Sequence, residues 1–377
     1  MLIGLEASRA DHAEKTGVEW YAWHLIQALK TTPSQEAHSW MLYSPHSLSG
    51  ELGEMPENWH ERPLVWPLKH LWTQLRLSFE ITRHAPDVLF VPASALPRAI
   101  PRRTVVTIHD VGFFRHPELY SGSERTWQRL ATQDAVRRAT RILTVSEYSK
   151  QEIIQYCNVN PDRITVVYPG VDHLSNEEVT EFEKQDVVER YRISGEYFLY
   201  IGRLESKKNI LTLIEAFRRY KEDRGLGDPI ALVLAGVPGE GYEAIKAAIR
   251  HTGLDTSIIQ TGYVAEEDKR ALLAGAIALV HPSWYEGFGF TPLEAMRMSC
   301  PVICARVGSL PEVVGVDNAM WFDPADPEAL AQAFEHILRE DGFRQTLRLQ
   351  GPAWAARYTW AETASQTFDL LTNWDVR

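Results

Sequence analysis

Short apolar runs alternate along the chain with longer segments in which apolar residues recur at helical spacing. In the first half the short runs predict strands at Leu2–Leu5, Val88–Val91, Thr104–Ile108, Arg141–Val145 and Ile164–Val167. Helical spacing predicts helices at Val18–Leu29, Arg125–Ala139 and Glu147–Cys157, with Ser146 as N-cap of the last. Strands that alternate with helices are typical of a parallel sheet covered by helices.

The second half repeats this alternation. Strands are predicted at Tyr197–Ile201, Ile230–Leu234, Ile258–Thr261, Ala276–Val280, Val302–Cys304 and Met320–Phe322. Helices are predicted at Ile210–Tyr220, Tyr242–His251, Glu266–Ala274, Pro292–Met298 and Pro327–Glu340. Between the halves, residues 174–196 are acidic and contain no strand-like run. The domain boundary is therefore expected there.

The 377 residues exceed the roughly 250–300 that one hydrophobic core usually serves. We expect an α/β protein with two Rossmann-like, doubly wound domains that face each other across a cleft, with ligands at the carboxyl ends of the strands. The predicted domains are 1–175 and 197–355, joined by a linker over 176–196. A last helix within 356–377 is expected to pack back on the N-terminal domain.

Charge and cysteine content exclude several classes of protein. The net charge is −11, and almost all of the acidic excess follows His173, so general nucleic-acid binding is not expected. Three cysteines provide neither a disulfide framework nor a second pair of metal ligands. The start, Met1–Glu6, lacks a basic region, and no apolar run approaches the ~18 residues of a membrane span, so a cytoplasmic protein is expected.

The segment His281–Glu294 contains the densest set of candidate functional groups. Gly287 and Gly289 allow the backbone to approach a ligand, and Thr291 followed by Pro292 is typical of a helix start with free amides for an anion. Glu286 and Glu294 are carboxylates that can accept hydrogen bonds from sugar hydroxyls. Spacing alone leaves open an ordinary glycine loop followed by a helix.

Further candidates follow predicted strands or precede a helix. Gly202 and Arg203, with Lys208 close behind, place two cations near a helix start, which suits a diphosphate but also describes surface charge. His109 ends a strand and can reach a sugar or simply bond to backbone. Gly17 ends a polar loop at a helix start, and this signal is weak.

Taken together, the motifs of the chain resemble those of the family 4 retaining glycosyltransferases, in particular the mannosyltransferases, which have the GT-B architecture. The resemblance covers nearly the whole chain. The matching motifs are Thr107–Asp110, Thr144–Lys150, Tyr168–Asp172, Gly202–Arg203 with Lys208–Asn209, Leu234–Gly236, Gly262–Val264, Glu286–Gly289 and Pro292–Glu294.

The resemblance implies a role for each candidate. Glu286 contacts donor-sugar hydroxyls and Glu294 the ribose, while Arg203 and Lys208 hold the diphosphate. Further donor contacts are implied for Gly17, Gly202, Tyr263, Val264, Gly287, Phe288, Gly289 and Phe290, and His109 lies beside the reacting sugar. Relatives often have Gly-Ile-Gly-Arg where this chain has Gly17-Val-Glu-Trp20, a departure that affects any acceptor or phosphate contact there.

The expected activity is that of a retaining hexosyltransferase that uses a nucleotide-sugar donor and needs neither cofactor nor metal. Arg203, Lys208 and backbone amides stabilise the charge of the departing phosphate, which is electrostatic catalysis. GDP-mannose is the first candidate donor and UDP-sugars come next; a glycan or lipid-linked acceptor is expected. Alternatives are a non-catalytic nucleotide-sugar-binding protein and an epimerase or phosphorylase of the same architecture.

Residues 62–83 combine apolar and aromatic residues with cations and one acidic residue, Glu80 near the end, and Glu61 lies at the edge just before them. A basic aromatic helix is able to lie on anionic lipid, so peripheral contact with the inner face of a membrane is one interpretation. The other is an amphipathic core helix whose cations extend to solvent.

Overall fold

The computed structural model describes residues 1–12, 15–68, 71–175 and 177–374. The chain forms two compact units, one of Met1–His173 with Tyr358–Arg377 and the other of Leu174–Arg357. Each unit has its own sheet of parallel strands, which confirms the predicted α/β class.

The sheet of the first unit has the order β3-β2-β1-β4-β5-β6-β7. Its strands are β1 (Leu2–Glu6), β2 (Ser39–Ser44), β3 (Trp59–Pro63), β4 (Val88–Val91), β5 (Arg103–Thr107), β6 (Arg141–Thr144) and β7 (Ile164–Val166). Leu5 on β1 lies opposite Leu42 on β2 and Phe90 on β4. The strand order therefore reverses at β1, where parallel sheets form ligand crevices.

Helices of the first unit follow its strands. They are α1 (Gly17–Lys30), α2 (Ser78–Arg83), α3 (Gly112–Arg115), α4 (Gly122–Arg138) and α5 (Glu147–Cys157), and a π-helical turn, Trp72–Leu77, leads into α2. The Ser146 hydroxyl accepts the Ser149 N–H at 3.0 Å, so the predicted cap of α5 is present.

The second unit has the strand order β10-β9-β8-β11-β12-β13. These strands are β8 (Tyr197–Ile201), β9 (Ala231–Ala235), β10 (Ile258–Gly262), β11 (Ala278–His281), β12 (Val302–Ala305) and β13 (Met320–Phe322). On β8 both Phe198 and Leu199 are fully buried. Successive strand residues point to opposite faces, so helices cover both faces of this sheet, as a doubly wound domain requires.

The helices of the second unit include one inside the predicted linker. They are α6 (Glu181–Arg190), α7 (Ile210–Arg224), α8 (Tyr242–Thr252), α9 (Glu266–Gly275), α10 (Phe290–Arg297), α11 (Leu310–Val314), α12 (Pro327–Arg339) and α13 (Asp341–Ala355). Helix α6 packs on α9, and the Tyr191 hydroxyl donates to Asp268 at 2.8 Å. Residues 177–196 are therefore part of the second unit and not a separate linker; Asn176 lies outside the described residues.

The last helix, α14 (Trp360–Thr372), belongs to the first unit and packs on α1. The Trp360 N–H donates to Asp172 at 2.8 Å, and the Thr363 hydroxyl donates to the Tyr168 carbonyl at 2.8 Å. A Cβ on Gly170 would lie 2.1 Å from the Trp360 nitrogen, so the turn before α6 and the start of α14 require a glycine at 170. Residues 375–377 lie outside the described part.

Candidate active site

The strand order of the second unit reverses between β8 and β11, and the strongest candidate residues follow these two strands. Gly202–Asn209 comes after β8, and Pro282–Gly289 comes after β11. Ligands of open α/β sheets bind beyond the carboxyl ends of the strands at such a reversal. The topology thus brings together two motifs that lie about 80 residues apart in sequence.

Direct contacts join the two segments. The Trp284 N–H donates to the Lys207 carbonyl at 3.1 Å, and Nζ of Lys208 lies 2.6 Å from Oε1 of Glu286. The buried Asn209 amide donates to the carbonyls of Pro282 (3.0 Å) and Pro324 (2.8 Å). Asn209 has a φ of +56°, a left-handed conformation that asparagine tolerates, and it starts α7 directly after Lys208. The position of Lys208 is therefore fixed from both sides.

Glu286 is held as a carboxylate by several groups. Besides Lys208, Nε2 of His281 lies 3.0 Å and Oγ of Ser283 lies 2.7 Å from its Oε1. Burial acts to raise the pKa of Glu286, but the Lys208 charge and the hydrogen bond with His281 outweigh it and lower the pKa well below its ordinary value. Glu286 therefore stays ionised at neutral pH and can accept hydrogen bonds from sugar hydroxyls.

The loop after Glu286 is fixed by Ser309 and by the conformation of Gly289. Ser309 donates its N–H to the Glu286 carbonyl at 3.2 Å, and its hydroxyl oxygen lies 2.9 Å from the Phe288 carbonyl. Gly289 has a φ of +104°, and a Cβ there would lie 2.5 Å from a methyl carbon of Leu310.

Helix α10 begins at Phe290, directly after Gly289. The predicted start with Thr291 as cap and Pro292 as first residue is wrong by two positions, because the left-handed glycine starts the helix earlier. The first turn of α10 therefore begins with Phe290 and Thr291.

Glu294 lies in α10 and is almost fully buried. Nζ of Lys269, on α9, lies 2.9 Å from its Oε1. Tyr263 and Val264, the residues expected to meet the base, follow β10 and precede α9; Tyr263 is exposed and Val264 half-buried. The residues predicted to contact the base thus directly precede α9, and the residue predicted to contact the ribose is bound by a lysine of the same helix.

Arg203 differs from Lys208 in its surroundings. Its carbonyl accepts the Tyr200 hydroxyl at 2.9 Å, and the preceding Gly202 has a φ of +149°. The Arg203 side chain is exposed, and among the described residues no ion pair joins it to Glu286. Lys208 is thus placed on Glu286, while Arg203 is near the same strand end and open to solvent.

In the first unit, His109 lies beyond β5 and contacts the end of β4. Its Nε2 is 3.1 Å from the Pro92 carbonyl, and its ring meets the Tyr21 ring edge-on at 4.6 Å. Burial lowers the pKa of His109, an effect that the Pro92 hydrogen bond only partly offsets. His109 is therefore a neutral imidazole at pH 7.

Gly17 is the first residue of α1, and the start of this helix has an internal acceptor. The Thr16 N–H donates to the Glu19 carboxylate at 3.2 Å, and Nη1 of Arg9 lies 3.2 Å from it. Glu19, the residue that departs from the family pattern, therefore places a negative charge at the helix end where an anion would bind.

Sequence reasoning missed His281, Ser283, Lys269 and Ser309. His281 and Ser283 lie within His281–Glu294, the segment predicted to contain the site. A histidine five residues before Glu286 could have indicated a partner for this carboxylate. Lys269 and Ser309 come from other elements, and only the fold brings them to the two glutamates.

Two family descriptions match the chain. "Glycosyl transferases group 1" matches residues 182–354, and "Glycosyltransferase Family 4" matches residues 15–173. O-antigen chain mannosyltransferase B of Escherichia coli is 32% identical over 309 residues, which are 81% of this chain and 77% of that protein. Serotype-specific mannosyltransferase WbdA of Escherichia coli is 29% identical over 306 residues, which are 78% of this chain but only 37% of that protein.

Solved structures show the same fold at low sequence identity. Sucrose-phosphate synthase from Thermosynechococcus elongatus has a TM-score of 0.77 and 18% identity, with 98% of each chain covered. Anabaena Alr3699/HepE in complex with UDP and glucose has a TM-score of 0.75 and 19% identity, with 99% of this chain and 100% of that chain covered. The predicted GT-B fold is confirmed. The chain belongs to the family 4 glycosyltransferases and is an enzyme of the glycosyltransferase class.

Proposed function

We propose that this glycosyltransferase moves mannose from GDP-mannose to a hydroxyl of a growing glycan or a lipid-linked acceptor, with retention and without a metal. The observation that carries the proposal is the Lys208–Glu286 pair at the strand reversal of the second unit. It places a cation for phosphate beside a carboxylate for sugar hydroxyls. The choice of mannose is supported by relatives that are named mannosyltransferases.

The proposed reaction exchanges one bond at the anomeric carbon for another. The bond from this carbon to the diphosphate oxygen breaks, and the bond to the acceptor oxygen forms on the same face. The acceptor proton passes to the leaving phosphate oxygen. Lys208, Arg203 and the first amides of α10 stabilise the negative charge that develops on the phosphate, so the two cations take the part that a metal has elsewhere.

The remaining residues hold the donor. Glu286 accepts hydrogen bonds from the transferred sugar, Glu294 from the ribose, and the backbone at Tyr263 and Val264 meets the base. His109 is a neutral imidazole whose Nε2–H is donated to the Pro92 carbonyl, so its Nδ1 is able to accept one hydrogen bond from a sugar hydroxyl.

A transfer assay tests the proposal. The protein is incubated with GDP-mannose, UDP-glucose or UDP-N-acetylglucosamine and a mannose-containing acceptor, with and without EDTA, and the anomeric configuration of the product is determined by NMR. We expect α-linked mannosyl product from GDP-mannose at the same rate in EDTA. Product from a UDP-sugar alone would show that GDP-mannose is not the donor. An inverted linkage would contradict retention, and loss of activity in EDTA would contradict a reaction without a metal.

Arg203→Ala separates catalysis from donor binding. Because Arg203 is exposed and acts on charge that develops during the reaction, its loss is expected to lower kcat more than the affinity for GDP-mannose. Weakened GDP-mannose binding with intact turnover would contradict this role. Release of free mannose from GDP-mannose without acceptor is a second readout, since a non-catalytic binding protein releases none.

We also propose that the first unit contacts the cytoplasmic face of an anionic membrane. Five large apolar side chains are exposed in and before α2: Val65, Leu68, Leu71, Leu75 and Phe79. The Arg83 guanidinium lies 4.2 Å from the centre of the Phe79 ring. The Glu80 carboxylate points inward, 3.1 Å from Nε of Arg62 and 3.4 Å from Nη1 of Arg76. Glu80 is the only carboxylate in the sequence 62–83, and it is buried. An apolar face bordered by cations fits anionic lipid.

The predicted single helix over 62–83 is not what forms this face. Pro63 ends β3, helical structure is present from Trp72 onwards, and residues 69 and 70 lie outside the described part. Trp72 is buried, with its indole N–H donated to the Leu64 carbonyl at 2.8 Å. In the described ranges no helix is both long and apolar enough to cross a bilayer.

Liposome sedimentation tests the membrane contact. We expect binding to phosphatidylglycerol vesicles at low salt, weaker binding at high salt, and little binding to phosphatidylcholine. Joint replacement of Leu71, Leu75 and Phe79 by Ser is expected to abolish binding. Leu349→Ser, which alters an even more exposed apolar side chain of the second unit, is expected to leave it unchanged. Absence of binding at low salt would contradict the proposed membrane contact.

A further inference from the structure

A buried lysine lies against Glu294, the carboxylate assigned to the ribose. Lys269 is on α9 and Glu294 on α10, and their side chains are 10% and 7% exposed. Nζ of Lys269 lies 2.9 Å from Oε1 of Glu294 and 3.1 Å from Oε1 of Glu266, at the start of α9. The ammonium thus bridges two carboxylates, one in the site and one on its own helix.

Lys269 stays charged in this buried position. Burial acts to lower the pKa of Lys269, but Glu294 and Glu266 outweigh it, so that its pKa is raised. A buried carboxylate without such a partner would be driven towards its neutral form, in which one oxygen becomes a donor. The Lys269 ammonium, 2.9 Å from Glu294, favours the form of this carboxylate in which both oxygens accept.

The two helices connect Lys269 to the rest of the proposed nucleoside site. Tyr263 and Val264 directly precede α9, and Glu294 lies one turn into α10, behind the Gly289 loop. We propose that Lys269 is a positioning residue that fixes the rotation of the Glu294 carboxylate, so that both of its oxygens are set for the two hydroxyls of a ribose. This inference rests on the proposed function and adds a group that never touches the donor.

Orientation matters because a ribose diol makes two directed hydrogen bonds. A carboxylate free to rotate loses side-chain entropy when it binds both hydroxyls, whereas one already held at Oε1 does not. An ammonium is a compact charge on a flexible chain, and arginine in its place would approach with a longer planar fork.

Nucleotides with and without ribose hydroxyls test the proposal. Calorimetry measures Kd for GDP, UDP and their 2′,3′-dideoxy forms with wild type, Lys269→Met and Lys269→Arg. Wild type is expected to bind the ribose form of its nucleotide about tenfold more tightly, the factor that corresponds to 1.4 kcal/mol. Lys269→Met is expected to bind both forms with the same weak affinity. Lys269→Arg keeps the charge, and with it the fold, but loses at least about half of the tenfold preference.

Lys221→Met is the matched control. Lys221 is a fully buried lysine of the same unit, on α7, with Nζ 3.6 Å from Asp228, away from both glutamates. Its replacement is expected to lower Tm as Lys269→Met does and to leave the ribose preference intact. This comparison separates a role in the site from the general cost of removing a buried charge.

The outcomes are distinguishable. Wild type that binds none of the four nucleotides would overturn the proposed function and this inference with it. If wild type shows the ribose preference and both Lys269 variants keep it in full, the inference is wrong while the proposed function stands.

Discussion

The ammonium of Lys208 and the carboxylate of Glu286 approach to 2.6 Å although 78 residues separate them in the chain. The contact joins the segment after β8 to the segment after β11, the two neighbouring strands at which the sheet order reverses. Opposite charges held in a largely buried position polarise each other strongly, because little water screens them. A bound donor is therefore expected to contact the Lys208 ammonium and the Glu286 carboxylate together.

Lys208→Met is expected to lower kcat by about 10²–10³-fold, the range seen when one group that stabilises transition-state charge is lost. Lys207→Met is the matched control, since Lys207 is the adjacent lysine and its Nζ lies 3.2 Å from Glu205 instead of Glu286. Steady-state kinetics with GDP-mannose compare the two. Equal effects of both variants would show that the position of Lys208 on Glu286 has no special importance.

Loss of His281 should act through Glu286. His281 is buried and touches the Glu286 carboxylate at 3.0 Å, and this contact helps to lower the pKa of Glu286. His281→Leu is therefore expected to raise the pKa of Glu286 and to move the acid limb of the kcat/KM profile to higher pH, while His281→Gln, whose amide donor has a reach similar to that of Nε2, shifts it less. Unchanged pH profiles in both variants would contradict this account.

Most elements with an apolar run were predicted, but strand β2, Ser39–Ser44, was missed although it contains one. Elements whose formation depends on partners were not predicted. Glu147–Cys157 and Tyr197–Ile201 match the structure because a cap or a buried run marks each of them. Strand β3, Trp59–Pro63, was not predicted: His60, Glu61 and Arg62 are exposed on an edge strand, so no hydrophobic run reveals it.

The same distinction applies to the site. Glu286, Glu294 and Lys208 belong to local motifs with recognisable spacing. Lys269 does not, since a lysine in an amphipathic helix is usually solvated. Only the packing of α9 near α10 shows that it is buried on Glu294. Long-range pairing of this kind leaves no trace in a single sequence.

Gly236→Ala tests the close approach of two backbones beside the site. An added Cβ would lie 1.8 Å from the Gly202 carbonyl oxygen, and backbone cannot move aside as a flexible side chain can. We expect a loss of about 1–3 kcal/mol in the free energy of unfolding, with weaker GDP binding because Gly202 is displaced.

Gly342→Ala provides the opposite control. Gly342 lies in α13, and an added Cβ meets nothing within 4 Å. A gain of about 0.4–1 kcal/mol is expected from the smaller entropy of the unfolded chain. Denaturant unfolding measures the free energy of unfolding of both variants. A Gly236→Ala protein as stable as wild type would show that the backbone at Gly236 and Gly202 moves apart without loss of stability.

The imidazole of His109 is expected to titrate below its ordinary pKa of about 6.5, because burial against Tyr21 disfavours the charged form more than the Pro92 carbonyl favours it. As pH falls, the unfolded chain then takes up this proton before the folded one does. The stability contributed by neutral His109 is thus complete above pH about 6.5 and is lost as pH falls towards the folded pKa. Histidine carbon shifts in NMR, assigned by the signal missing from His109→Gln, give the midpoint. Urea unfolding between pH 7.5 and 5 should show a steeper fall for wild type than for His109→Gln, and a midpoint above 6.5 would mean that the charged form is the one the fold stabilises.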